Sequence, residues 1–381
     1  MKQVYFDSAA TTKVRDEVVD KMTEVLRNSY GNPSSSHAFG RSSKSILEQT
    51  RKNIAKHLNA TAAEIVFTSG GTEADNLVLR SCIRDLGIKN IITSRIEHHA
   101  VLHTAEQLEK EYGTAIHFVD LDDKGGINLD HLEDLLNSTE KSLVSLMHVN
   151  NEIGNLLDIK AVTELCKKYN ALFHSDTVQS VGHFELNLKE IPIDFLAVSA
   201  HKFHGPKGVG FAFIRKNSGL KPLIFGGEQE RGFRAGTESL HNIIGLEQAL
   251  NFAVENLSEE SKYISGIKSY FIDRLKQEFK NIKFNGFSDD KGKSTYTMIN
   301  VCLPVDPAKA STFLFQLDLK GIACSKGSAC QSGSDKGSHV LKQILNEEDL
   351  RKPSVRFSFS KYNTKEEVDY LIDVLKELIS K

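Results

Sequence analysis

Glu64-Ile-Val-Phe-Thr-Ser-Gly-Gly-Thr-Glu-Ala-Asp75 is the stretch on which the fold turns. Its first half is a short β-branched run, which predicts a strand from Glu64 to Thr68. Two glycines follow, and a helical pattern then runs from Thr72 to Leu86. Similar units recur outward from this one. Strands are predicted from Asn90 to Ser94, Ala115 to Val119 and Ser142 to Met147, with helices from Ala100 to Tyr112 and Ile159 to Tyr169 among them. Alternating strands and helices predict an α/β fold with a doubly wound, mostly parallel sheet. In such sheets ligands gather beyond the carboxyl ends of the strands.

The glycine pair lets backbone N–H groups approach a phosphate closely, and the following helix N-terminus adds partial positive charge. A Walker loop is excluded because no Gly-Lys-Ser/Thr follows. An ordinary glycine turn capped by Thr72 would use the same residues. Further along, Asp176 closes the apolar stretch Ala171-Leu-Phe-His-Ser, where a buried carboxylate needs a cationic partner or a polar cleft. Lys202 lies in Ser199-Ala-His-Lys-Phe-His-Gly-Pro-Lys-Gly208. A lysine that forms a Schiff base and an aspartate that pairs with a pyridinium nitrogen are the two anchors that pyridoxal 5'-phosphate needs. Gln179, three residues beyond Asp176, is within reach of that cofactor's phenolic oxygen, although a plain loop amide explains it equally well.

With 381 residues the chain can bury a sizeable core, and its length predicts two or three domains. Beyond about Leu250, long charged helical patterns (Phe252 to Phe279, Thr364 to Leu378) frame short strands from Met298 to Cys302 and Val355 to Ser358. Residues 15–255 read as a large cofactor-binding domain. Residues 1–14 and 256–381 read as a smaller α/β domain carrying a loop at about 324–338. The chain has 48 Lys plus Arg against 50 Asp plus Glu, a net charge of -2, so no global field draws nucleic acid or an anionic membrane. No apolar run approaches a membrane span, and neither a signal peptide nor an Arg-rich leader is visible. Five scattered cysteines are too few to staple such a chain and predict a reducing cytoplasm.

Cys82, Cys166 and Cys302 lie in apolar patterns and read as small buried hydrophobes. Cys330 differs, because the Gly- and Ser-rich run Ser325 to Ser338 predicts an exposed, mobile loop. Lys326 and Lys336 would favour its thiolate. Cys324 reads as a packed residue or as a thiol that resolves a persulfide. A metal module built from Cys324, Cys330, His201 and His204 fails on ligand spacing, so no metal is expected.

These pieces stand in the order and spacing of a known family. The chain resembles the cysteine desulfurases of the NifS/IscS type, group I, within the aminotransferase class V, fold-type I pyridoxal phosphate enzymes. The resemblance is carried by Tyr5-Phe-Asp-Ser-Ala-Ala-Thr-Thr12, Gly31-Asn-Pro-Ser-Ser-Ser-His37, the Phe67 to Asn76 segment and Glu97-His-His-Ala-Val101. It continues through Met147-His-Val-Asn-Asn-Glu-Ile-Gly154, His174-Ser-Asp-Thr-Val-Gln-Ser180, the Lys202 segment, Glu230-Arg-Gly-Phe-Arg-Ala-Gly-Thr237 and Gly327-Ser-Ala-Cys330.

The resemblance implies conversion of L-cysteine to L-alanine, with the sulfur passing to Cys330 as a persulfide for delivery to an acceptor protein such as an iron–sulfur scaffold. It makes Lys202 the Schiff-base lysine and Asp176 the partner of the ring nitrogen. Gln179 would sit near the phenolic oxygen and His98 over the ring, where His98 could also aid proton transfer. Gly71, Thr72, Ser199 and His201 would hold the phosphate, and Thr237 would reach the phosphate of the neighbouring subunit in a homodimer. Asn151 and Arg356 would bind substrate, Arg356 through a bidentate grip on the carboxylate. Transamination or selenocysteine lysis on the same fold are the rival activities, and Cys330 argues against transamination. Lys326, Gln331 and Lys336-Gly337 depart from the commonest family pattern, as does the end at Lys381 directly after the last helical pattern. The departures bear on the acceptor's identity rather than on the chemistry.

Overall fold

The computed structural model describes residues 2–326 and 337–380; Cys330, Gln331 and Lys336 lie outside the described residues. Twelve strands are described: β1 (Val4–Tyr5), β2 (Ile65–Thr68), β3 (Asn90–Thr93), β4 (Ala115–Phe118), β5 (Ser142–Ser145), β6 (Leu172–Asp176), β7 (Phe195–Ser199), β8 (Gly210–Ile214), β9 (Lys283–Phe284), β10 (Met298–Cys302), β11 (Ile322–Ala323) and β12 (Ser354–Ser358). The helices are α1 (Asp16–Asn28), α2 (Ala38–His57), α3 (Gly71–Leu86), α4 (His99–Tyr112), α5 (Leu129–Ser138), α6 (Ile159–Lys168), α7 (Leu240–Glu255), α8 (Leu257–Glu278), α9 (Phe313–Leu319), α10 (Leu341–Ile344), α11 (Glu347–Arg351) and α12 (Lys365–Ser380).

Seven strands form one sheet in the order β2-β8-β7-β6-β5-β3-β4. The run β7-β6-β5-β3-β4 is parallel throughout, whereas β8 is antiparallel to both β2 and β7. Apart from the edge strand β4, its strands are largely buried on both faces, as a parallel sheet covered by helices requires. Leu196 and Val198 of β7 face the apolar cluster shared with α1, α2, α5, α6 and α7. Phe195 and Ala197 face the cluster shared with α3 and α4. This is the predicted mostly parallel, doubly wound α/β sheet.

A separate apolar cluster gathers Val4 and Phe6 with Phe271 of α8, Ile299 of β10, Phe357 of β12 and Leu371 of α12. There β12, β10 and β9 pair antiparallel, and β1 pairs in parallel with β11. The N-terminal strand is thereby packed with residues from beyond position 260.

The helical pattern from Phe252 to Phe279 is two helices rather than one. The chain breaks at Asn256 (φ -103°, ψ 8°), whose side-chain amide donates to the Phe252 carbonyl and so satisfies an end group of α7. The predicted strand from Ser142 to Met147 stops at Ser145, because the Met147 N–H leaves the ladder to bond the Glu97 carboxyl at 2.9 Å. No helix among the described residues is long and apolar enough to cross a membrane.

Candidate active site

The carboxyl ends of β5, β6 and β7, with the turn after β2, open on one cavity of about 570 Å³. Gly71, Thr72, His98, Asn151, Asp176, Gln179, Ser199, His201, Lys202 and Arg356 all line it. Ten of the residues singled out from sequence therefore converge there. Thr237 does not, and lies in a neighbouring cavity with Ser69 and Gly208. Cys330 lies outside the described residues.

Local sequence explains how the helix start comes to line the cavity. Gly70, the N-cap of α3, has φ 152° and ψ -173°, a conformation essentially reserved for glycine. At Gly71 a Cβ would meet Val178 Cγ2 at 2.4 Å, so only a glycine lets the helix start so close to the loop after β6. The N–H groups of the first helical turn have no helical acceptor and suit an anion. Ser199 and His201 line the same cavity from the end of β7 and the short turn beyond it. His201 hydrogen-bonds through Nδ1 to Thr11 Oγ1 at 3.1 Å, and burial, aided by Lys202 and Lys207, lowers its pKa to about 4. It is a neutral imidazole there at physiological pH.

Part of the cavity is acidic. Asp176 is buried; its Oδ1 accepts the Val178 N–H at 2.9 Å. Burial raises its pKa, while His98, the Val178 N–H and Lys202 act to lower it. Asp75 of α3, almost wholly buried, is raised further by desolvation and by the charges of Asp176 and Glu97. Its Oδ1 lies 3.3 Å from His174 Nε2, and burial drives the His174 pKa down to about 3, so that imidazole brings no charge. Glu97, holding Ser94 and the Met147 N–H, is raised to about 8, chiefly by desolvation. A buried set of carboxyl groups this poor in cations calls for a cationic or N–H-bearing guest.

Two nitrogen-bearing side chains line the cavity near these acids. His98 caps α4, its Nδ1 accepting the Ala100 N–H at 3.1 Å, which makes Nε2 the donor nitrogen of the ring. Lys202 Nζ donates to the carbonyl oxygens of Ala9 (2.6 Å) and Ala10 (3.0 Å), and Gln179 Nε2 donates to the same Ala9 oxygen at 2.9 Å. Arg356, at 1 % exposure, projects from β12 and donates through Nη1 to Asn151 O at 2.6 Å and through Nη2 to Asp7 Oδ1 at 3.0 Å.

Sequence reasoning passed over Asp75, Glu97, Lys207 and the Ala9 and Ala10 carbonyls. Asp75 carried a signal: it stands among Ala74, Leu77 and Val78 on the buried face of an amphipathic helix, where an acid is costly without a purpose. The two carbonyls had none, because any residue supplies one. Asp75, His98 and Asp176 could together hold a metal ion, their ligand atoms lying within 4.8 Å of one another. Of the other cysteines, Cys82, Cys166 and Cys302 are buried as expected, and Cys324 packs against the second apolar cluster.

The aminotransferase class-V family matches residues 4–371. Fold and cavity together are those of a fold-type I enzyme of that class. Over 100 % of this chain and 95 % of its own length, a cysteine desulfurase IscS of Dictyoglomus turgidum is 40 % identical. A solved NifS-like protein superposes with a TM-score of 0.90 at 36 % identity, with 100 % of both chains covered. A structure of SspA in complex with cysteine gives a TM-score of 0.81 at 31 % identity over 94 % of this chain and 99 % of that one. The chain belongs to the cysteine desulfurases of aminotransferase class V.

Proposed function

We propose that this cavity binds pyridoxal phosphate and L-cysteine and passes the substrate's sulfur to Cys330. The observation that carries the reading is that Lys202, whose charge acts on Asp176, shares one cavity with the buried Asp75–Asp176 pair and the N-terminus of α3. The residues suit the cofactor: a glycine-shaped anion corner, a buried acid pair, and a lysine in the same cavity. The complex of SspA with cysteine supports the substrate assignment by similarity.

Gly71, Thr72, Ser199 and His201 would hold the phosphate, Asp176 the ring nitrogen, Gln179 the phenolic oxygen, and His98 would cover the ring. When bound, the cofactor supplies an electron sink that stabilises negative charge on the substrate's carbon skeleton and weakens the C–S bond. Lys202, a covalent anchor in the resting enzyme, is then the base for the α proton, aided by His98. Asn151 and Arg356 orient the substrate, Arg356 through its carboxylate. The Cys330 thiolate attacks the substrate sulfur; an S–S bond forms, the C–S bond breaks, and its electron pair returns to carbon, which takes a proton to become alanine.

The same reading makes the enzyme a homodimer in which Thr237 serves the partner's site; exposed Leu26, Tyr30 and Phe39 offer apolar surface for such a contact. It places the enzyme in the cytoplasm, in keeping with scattered thiols, and assigns the persulfide to a protein acceptor of the iron–sulfur scaffold kind. The division into residues 15–255 against 1–14 with 256–381 belongs to it as well, supported by the separate clustering of Val4 and Phe6 with α8 and α12. The test is anaerobic incubation with L-cysteine: one alanine per turnover and one added sulfur on the Cys330 peptide are expected. An unmodified Cys330 peptide alongside full alanine formation would refute its role.

A further inference from the structure

Arg356, proposed above as the grip on the substrate carboxylate, is held by a second carboxylate of this chain. Asp7 Oδ1 accepts from Arg356 Nη2 at 3.0 Å and from Ser325 Oγ at 2.8 Å. Ser325 and Arg356 also exchange main-chain hydrogen bonds, at 2.7 Å from Arg356 N and 3.3 Å from Ser325 N. Asp7, Ser325 and Arg356 thus close a ring of hydrogen bonds drawn from three distant parts of the chain. The guanidinium is buried to 2 % side-chain exposure, whereas Asp7 keeps 17 %.

A buried guanidinium needs both charge compensation and a fixed plane. Asp7 supplies both while engaging only one N–H, and Asn151 O takes another, leaving part of the five-donor fork for an incoming carboxylate. We infer that Asp7 is a positioning residue for substrate binding, which fixes the Arg356 guanidinium before the carboxylate of the substrate arrives. Asp7 touches neither substrate nor cofactor in this scheme; it acts through Arg356 alone. The inference rests on the desulfurase reading and deepens it by naming what preorganises the carboxylate site. Without Asp7, the ordering of the guanidinium would fall to the substrate and weaken its binding.

The full-length holoenzyme tests this through Asp7→Asn, Asp7→Ala and the milder Ser325→Ala. In the Asp7 variants KM for L-cysteine is expected to rise about tenfold, the scale of one misplaced charge-assisted hydrogen bond, with a smaller fall in kcat. Ser325→Ala should move KM in the same direction by less. Cysteamine, which carries the amine and thiol but no carboxylate, is the control; its affinity, read from the visible spectrum of the cofactor, should not change. In an Arg356→Lys background the Asp7→Ala effect should vanish. Equal losses for cysteine and cysteamine would mean structural damage and overturn the inference, as would a KM that is unchanged or lowered. A wild-type enzyme that makes no alanine from cysteine would overturn the desulfurase reading itself, whereas the preceding results sink this inference alone.

Discussion

Asp75 and Asp176 hold carboxylate oxygens within 4.8 Å of each other, with a His98 ring nitrogen equally near. Two acids this close in a desolvated pocket do not both ionise readily, and the protonated pyridine nitrogen of the proposed cofactor would relieve the conflict. Asp176→Asn should therefore weaken cofactor retention by about 3 kcal/mol, roughly a hundredfold, by removing one partner of a buried charged contact. Asp75→Asn, one step removed, should cost less. Equilibrium dialysis of pyridoxal phosphate against the two apo variants checks the ranking, and equal losses would contradict it.

Glu97 makes a prediction about pH. Its folded pKa of about 8 lies above the ordinary carboxylate value of 4.5, so the native state keeps a proton that the unfolded chain has lost. Stability from this group is full below the unfolded pKa and is lost as pH rises toward about 8. Glu97→Gln keeps an acceptor for Met147 N–H and cannot ionise. Thermal melts of wild type and Glu97→Gln should coincide near pH 4.5 and diverge in the variant's favour up to pH 8. Comparing the two at each pH cancels Lys268, whose pKa burial lowers to about 7 and which drifts in the opposite sense. A constant difference across the range would refute the assignment.

Gly71 gives a steric test. A methyl there meets Val178 Cγ2 at 2.4 Å, in the loop that follows Asp176 at the end of β6. Gly71→Ala should loosen cofactor binding by about 1–3 kcal/mol, the usual cost of overpacking, and Val178→Ala in the same chain should restore most of it. Titration of the apoenzyme with pyridoxal phosphate reads both, and a double variant as weak as the single would disprove the clash.

The nucleophiles should separate cleanly. Lys202→Ala is expected to lose the visible absorbance of covalently held cofactor and to lower kcat by about 10²–10⁴, the range for a lost general base. Cys330→Ser should keep that absorbance yet release no sulfide from cysteine. Cys324→Ser should turn over normally, because burial and the charge of Asp7 hold the Cys324 thiol well above the ordinary range. Loss of turnover in Cys324→Ser would make it a resolving thiol instead.

The parallel strands and the cavity's side chains were legible because burial writes itself into sequence. Runs such as Asn90-Ile-Ile-Thr93 and Ser142-Leu-Val-Ser145 have few other uses, and the glycine pair at 70 and 71 announces a close approach. The antiparallel direction of β8 was not legible, since Gly210-Phe-Ala-Phe-Ile214 is equally apolar in either sense. Helices α1 and α2 escaped for want of a strand on both sides to frame them. The Lys202 contacts to Ala9 and Ala10 were invisible because backbone carbonyls carry no letter of their own. Asp7 was visible only as part of a motif, and its link to Arg356 depends on a register between distant strands.

The bond from Arg356 to Asp7 joins residues 349 positions apart, and β1 lies in parallel register with β11. During synthesis the first strand therefore leaves the ribosome long before its partner exists. The large sheet can form while Val4 and Phe6 wait as unpaired apolar chain, a stretch for chaperones to shield. Loop closure over such a distance comes late and slowly. Competence to capture cofactor and bind cysteine is thus a property of the finished polypeptide, and ribosome-bound fragments ending before β12 should emerge folded in part but inert.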